Sequence, residues 1–444
     1  MRVFQNIKKI PISKNILTLI SINLVITLIG LEVLSLAFFW FQEKSFYYNN
    51  TKPTQKVFLE LEKSGFNLND SIGGSLHPFL GYVIRQGMNP FKEFGISVNN
   101  YGMYSKFDYP FIKSNQNQFI IGIFGGSVAS GVYLHELKTQ SLATALKKLP
   151  EYSNKDIIVL SFAIQGTKQP QQLLSLNYFL SIGQKFDMVI NIDGFNEVAL
   201  TFMNNREKVE LSMPLADLTL PLINMANHTL STEEMKAMIQ INQIKNDLKA
   251  SIARSSNCWF SLCYLVTSTQ TKFLINSYQK QALGFISARA ISSSKSENTD
   301  QPSLIYYNRL KEKLPDFLVI EKSVAIWKDS SLFMHQITTN NGIKYFHFLQ
   351  PNQYYPTNHV FSENEKKIAF YADSPYTEGV IKGYPVLISK ISDLRSLHIN
   401  AFNMVNIFDT VKDDVYMDSC CHYNEQGQQI VIDFIANSIL STHH

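Results

Sequence analysis

Four short segments of this chain carry the residue types that acyl transfer needs. Phe124-Gly125-Gly126-Ser127-Val128-Ala129-Ser130-Gly131 presents a serine hydroxyl on a glycine-flanked turn, and Gln165-Gly166 offers a backbone N–H that no Cβ shields. Asp193-Gly194-Phe195-Asn196-Glu197 offers a side-chain amide from a tight turn. Asp418-Ser419-Cys420-Cys421-His422 supplies an imidazole with a carboxylate just upstream. Together these suffice for attack on a carbonyl: Ser127 as nucleophile, His422 as base and Asp418 as the acid that orients it. The backbone N–H groups of Ser127 and Gly166 and the Asn196 amide would hold the oxyanion. Asp413 and Asp414 are rivals to Asp418 for the acid. The tripeptide alone is cheap, since Gly73-Gly74-Ser75 repeats it after polar sequence. What distinguishes Ser127 is its place in a series of turns that each follow a strand.

The elements that position these turns are legible from periodicity. Gln118–Phe124, Asp156–Ala163 and Asp187–Ile192 are short continuous apolar runs, and the amphipathic segments Glu136–Leu149 and Pro170–Ile182 lie between them. Strands apolar throughout, alternating with helices, indicate a parallel sheet covered on both faces, whose ligands bind beyond the carboxyl ends of its strands. The pattern resumes with a helix at Glu321–Thr338, strands at Ile343–Leu349 and Met404–Phe408, and a closing helix at Asn424–Leu440. The expected fold is an α/β, doubly wound (flavodoxin-like) parallel sheet built from 118–200 and 341–444. A mostly helical insertion fills 201–340, with a capping box at Ser231 and Glu234 and a polar loop at Ser292–Pro302. Gln350, Asn352 and Gln353 follow the strand Ile343–Leu349 and are expected to line the substrate cleft. His347 is expected to be a packed core histidine, and Asp193 a turn residue.

The constellation resembles the SGNH (GDSL-type) hydrolase superfamily, over roughly residues 116–199 and 341–444. That family has four short blocks in this order. They are similar here to Gly125-Gly126-Ser127 with Gly131, to Gly166, to Gly194-Phe195-Asn196-Glu197, and to Asp418 with His422 followed by Asn424 and Gly427. Three departures stand out. Gly126 replaces an Asp, Glu197 replaces an Asp, and three residues instead of two separate Asp418 from His422. The resemblance implies a serine ester hydrolase that uses no metal or organic cofactor.

The rest of the chain bears on compartment. Ile16–Phe41 is almost uninterrupted apolar sequence, long enough to span a bilayer as a helix. Arg2, Lys8, Lys9 and Lys14 precede the first acid, Glu32, and account for the net charge of +4. The positive-inside rule then makes 1–15 a cytoplasmic tail, 16–41 the membrane anchor, and 42–117 an extracytoplasmic linker and N-terminal segment. A signal peptide cleaved near Ser35-Leu36-Ala37 is the rival reading, but the apolar run is longer than a signal core. Glu32 would sit near the outer interface beside Phe38, Phe39 and Trp40. With the remaining charges balanced, no basic excess is left for a phosphate backbone, so no nucleic-acid partner is expected. Of the four cysteines, Cys258 and Cys263 can pair if a turn separates them, whereas the neighbours Cys420 and Cys421 are not expected to bridge. Neither paired CxxC motifs nor spaced histidines are present, so no metal site is expected.

These readings converge on an enzyme anchored in the membrane, periplasmic if the cell is Gram-negative, that cleaves a small-molecule or glycan ester. An O-acyltransferase of envelope glycans would use the same triad. A catalytically inactive binding or scaffold protein that keeps the fold is the alternative of another class.

Overall fold

The computed structural model describes residues 14–49, 74–86, 96–227, 232–295 and 305–442. The basic residues Arg2, Lys8 and Lys9, Ser231 of the capping box and the end of the polar loop lie outside the described residues. The chain divides into two compact units, one within Met1–Ser71 and His228–Gln301, the other within Ile72–Asn227 and Pro302–His444.

The second unit is mixed α/β. Two antiparallel pairs, β1 (Gly74–His77) with β2 (Gly81–Ile84) and β3 (Ser97–Val98) with β4 (Tyr104–Ser105), precede the main sheet. That sheet has five parallel strands: β5 (Gln118–Gly125), β6 (Asp156–Ala163), β7 (Met188–Asp193), β8 (Lys344–Leu349) and β9 (Asn400–Asn403), in the order β6-β5-β7-β8-β9. Every residue of β5 and β7 is buried, as expected of central strands covered on both faces. The register pairs Gly125 with both Ala163 and Ile192, and Asp193 with Leu349. The carboxyl ends of four strands therefore meet along one edge, and the turns that follow them emerge together.

Three elements differ from the sequence reading for local reasons. The helix expected over Glu136–Leu149 is two helices, Ser127–Thr139 and Ser141–Leu146, broken at Gln140 in the left-handed region. The buried Glu136 carboxylate forms the joint, accepting the N–H groups of Leu142 (2.7 Å) and Ala143 (3.1 Å) at the start of the second helix. The last strand lies at Asn400–Asn403, upstream of the Met404–Phe408 expected. It stops where the Asn403 side chain accepts the Val405 N–H (2.9 Å), a turn that competes with the ladder. Finally, only His228–Gln301 separates from the sheet unit, a shorter segment than 201–340. The helix Asp316–Asn340 belongs to the sheet, burying Val324, Trp327, Ser331 and Met334 along one stripe.

In the first unit, helices Thr232–Ser256 and Ser261–Lys295 pair as a hairpin, and a disulfide joins Cys258 to Cys263 across its turn. The helix Ser261–Lys295 packs on the N-terminal helix Lys14–Glu43. Within the latter, Thr18–Gln42 is long and apolar enough to cross a membrane or to act as a signal anchor.

Candidate active site

Ser127 is the first residue of its helix, directly after β5. The cap position, Gly126, contributes no side-chain hydrogen bond, so the first-turn N–H groups stay available to an anion. Gly126 is glycine for a steric reason: a Cβ there would lie 2.2 Å from Asn196 Nδ2. Asn196 is buried at the start of a π-helical turn, Asn196–Leu200, after β7, and donates to the Thr167 carbonyl at 2.6 Å. That bond uses one of the two amide protons. Gly166 lies in the loop after β6 with φ +71°, and a Cβ on it would meet Leu218 at 2.7 Å. Gly166 therefore satisfies both a backbone and a space requirement.

His422 is half-buried and hydrogen-bonds through Nδ1 to Asp418 Oδ2. The other carboxylate oxygen, Oδ1, accepts the backbone N–H groups of Cys420 (2.9 Å), Cys421 (3.1 Å) and His422 (3.3 Å). The three residues between Asp418 and His422 form this turn. Burial works to raise the Asp418 pKa, but the hydrogen bond and charge of His422, with the backbone donors, outweigh it and hold the carboxyl at about 2. Burial works to lower His422, and Asp418 reverses this, leaving the imidazole above its ordinary value. The rivals are engaged elsewhere, Asp413 with Gln426 and Asp414 with Ser362 and Asn364.

Burial holds the Cys421 thiol well above its ordinary pKa and the Ser127 hydroxyl beside it works to lower it, so Ser127 lies next to the residue that precedes His422. Among the described residues no hydrogen bond joins Ser127 to His422, and such bonds often tighten only when substrate binds. The helix that follows His422, Glu425–Ser441, is capped by Asn424, which accepts the Gly427 N–H at 2.9 Å. It packs on the helix of Ser127, and Gly131 gives room to Gln428, whose Nε2 would lie 2.5 Å from a Cβ. Cys420, Cys421 and His422 also place three ligand atoms within 4.8 Å of one another, a set that could hold a soft metal. Adjacent residues of this kind escape a search for spaced pairs.

Of the three residues expected to line the cleft, two hold the histidine loop. Asn352 Nδ2 donates to the Cys420 carbonyl (3.1 Å), and Gln353 Nε2 to the carbonyls of Asp418 (3.1 Å) and Ala369 (3.2 Å). Tyr354 continues the series with the Ser419 carbonyl at 2.8 Å. Gln350 is buried, and its Nε2 has no hydrogen-bond partner among the described residues.

A second polar cluster lies beneath the site, and the sequence reading missed it. Asp193 Oδ1 accepts from Trp327 Nε1 (2.6 Å) and meets His347 Nε2 (2.7 Å), while Oδ2 accepts from Asn191 (2.7 Å). The other nitrogen of His347 meets Ser331 at 2.7 Å. His347 is a core histidine, as expected, but Asp193 is the fully enclosed hub of the cluster and not a simple turn residue. Beside it, Glu197 accepts the N–H groups of Gly194 (2.6 Å) and Gln169 (2.9 Å), and so ties the Asn196 turn to the loop after Gly166. Burial, and then Asp193, push the Glu197 carboxyl up to about 8. Neither known family models nor curated proteins match this chain.

Proposed function

We propose that the protein is a serine ester hydrolase of the SGNH type, tethered to a membrane, with its sheet unit outside the cytoplasm. The observation that carries this is the Asp418–His422 hydrogen bond, made through the imidazole Nδ1, with Ser127 beside the thiol of the adjacent Cys421. The strand order, read as 2-1-3-4-5 in chain order, supports a doubly wound, flavodoxin-like sheet, in which sites form beyond the carboxyl ends of the strands.

The chemistry follows from these groups. His422 Nε2 takes the Ser127 proton as Oγ attacks the ester carbonyl, and Asp418 stabilises the imidazolium that forms. The oxyanion is met by the N–H groups of Ser127 and Gly166 and by the second Asn196 amide proton, each such donor worth roughly 3–4 kcal/mol of barrier. His422 then returns the proton to the leaving alcohol, and water releases the acyl group from Ser127. A fluorophosphonate probe, with p-nitrophenyl ester hydrolysis read in parallel, tests the reading. Wild type should be labelled and active, and Ser127→Ala neither. An unlabelled, inactive wild type would instead support the scaffold alternative.

The apolar helix favours one variant of this reading, because a membrane-held site works on a confined acceptor. If a glycan hydroxyl replaces water, the same triad transfers the acyl group. Ester loss that ignores added oligosaccharide would count against transfer.

A further inference from the structure

Glu32 is a carboxylate inside an otherwise apolar helix, where an ion is costly unless it is paired. Its partners are the first N–H groups of the hairpin's second helix and, at 3.4 Å, the Tyr48 hydroxyl. Oε1 accepts from Ser261 N (2.7 Å) and Oε2 from Leu262 N (2.9 Å), so the acid of one helix caps the other. The turn of the hairpin is held by two further contacts. Tyr47 donates its hydroxyl to the Cys258 carbonyl at 2.7 Å, and Phe39 packs edge-on against Tyr47 and Tyr264. The Cys258–Cys263 disulfide closes the turn.

This fixed loop holds its two largest apolar side chains outward: Trp259 is 84% exposed and Phe260 61%. Phe38, Trp40 and Phe41 are exposed beside it on the N-terminal helix. Depth follows from helix rise. About 20 residues cross the hydrocarbon core, so a span entered near Thr18 leaves it near residue 37, a few residues beyond Glu32. Trp259 and Phe260 directly precede the residue bonded to Glu32, and so stand within roughly 10 Å of that boundary. Tryptophan favours this zone, where its ring is apolar and its N–H can be hydrated.

We propose that the disulfide-closed loop Cys258–Cys263 is a second membrane contact, inserting Trp259 and Phe260 into the interface of the leaflet at the Gln42 end of the span. The proposal rests on reading Lys14–Glu43 as a membrane-crossing helix. Its occupant is the lipid interface, because the loop is fastened to that helix at the depth where the interface begins.

The three tryptophans make the test direct. Trp327 is fully buried and donates to Asp193, out of reach of lipid. The full chain is reconstituted in phosphatidylcholine–phosphatidylglycerol vesicles, with and without lipids brominated near the top of the acyl chain. In Trp40→Phe, emission should still be quenched by the brominated lipid, and adding Trp259→Phe should abolish that quenching. If Trp259→Phe alone is quenched but Trp40→Phe is not, the span stands and the loop contact is overturned. If neither is quenched, the membrane-crossing reading has failed and takes the proposal with it.

Discussion

Asp418 meets His422 with one carboxylate oxygen and gathers the N–H groups of Cys420, Cys421 and His422 itself with the other. Asp418 thus shapes the turn that carries His422, as well as holding its imidazole. Both functions depend on one residue. Asp413 and Asp414 spend their carboxylates on Gln426, Ser362 and Asn364.

Asp418→Asn should therefore lower ester turnover by about 10⁴-fold, the loss expected when a triad acid no longer holds the correct tautomer. Asp413→Asn and Asp414→Asn should stay near wild type. Steady-state kinetics on purified variants checks this. A near-normal Asp418→Asn beside a crippled Asp414→Asn would remove Asp418 from the site.

The same pair sets a pH dependence. His422 must be neutral to accept the Ser127 proton, and Asp418 holds its pKa above the ordinary 6.5. The acid limb of kcat/KM should lie above 6.5 in wild type and move to lower pH in Asp418→Asn. Linkage runs the opposite way for stability. A raised histidine contributes stability fully below 6.5 and loses it as pH rises through the folded-state value, whereas the depressed Asp418 contribution is lost only as pH falls from 3.8 towards 2. A wild-type limb at or below 6.5 would contradict the pairing.

Strands β5 and β7 were legible because both of their faces are buried, and β6 because its carboxyl-terminal half is, which leaves a mostly apolar run with a glycine turn after it. Ser127, Gly166 and Asn196 could be placed for the same reason, since each follows such a run. The Asp193–His347–Ser331–Trp327 cluster was not legible. Its members come from β7, β8 and one helix, and distant polar residues meeting in a core leave no periodic trace. The break at Gln140 and the end of β9 depend on single side chains, Glu136 and Asn403, capturing nearby backbone N–H groups. Apolar periodicity carries no record of such local competition.

Gly126 leaves no room for a side chain against Asn196, so Gly126→Ala should displace the amide. Asn196→Ala should lower kcat by about 10²–10³-fold, as for other single oxyanion donors. Gly126→Ala should approach that loss with little change in melting temperature. A fully active Gly126→Ala would show that the Asn196 position is not used.

Beneath the site, His347 bridges Ser331 and Asp193 with no solvent contact. His347→Ala leaves a buried carboxylate short of a partner and should cost about 3–5 kcal/mol in urea unfolding. Ser331→Ala removes the hydroxyl's contacts with His347 and Tyr345 and should cost about 1 kcal/mol. A His347→Ala loss below that of Ser331→Ala would show that Asp193 is satisfied without the imidazole.

Asn352 tests whether the segment after β8 binds substrate or holds the catalytic loop. Its amide donates to the Cys420 carbonyl, two residues before His422. Removing it frees the turn in which Asp418 gathers its backbone donors, and the imidazole loses its fixed position before any contact with substrate changes. Asn352→Ala should lower kcat by about tenfold or more, because small misplacements of a catalytic group are costly. The acid limb of its pH profile should shift down as the Asp418–His422 contact loosens. A residue that lined the cleft would instead raise KM and leave kcat and the limb in place. That second pattern would return Asn352 to the substrate surface, and the Gln353 and Tyr354 contacts alone would then hold the loop.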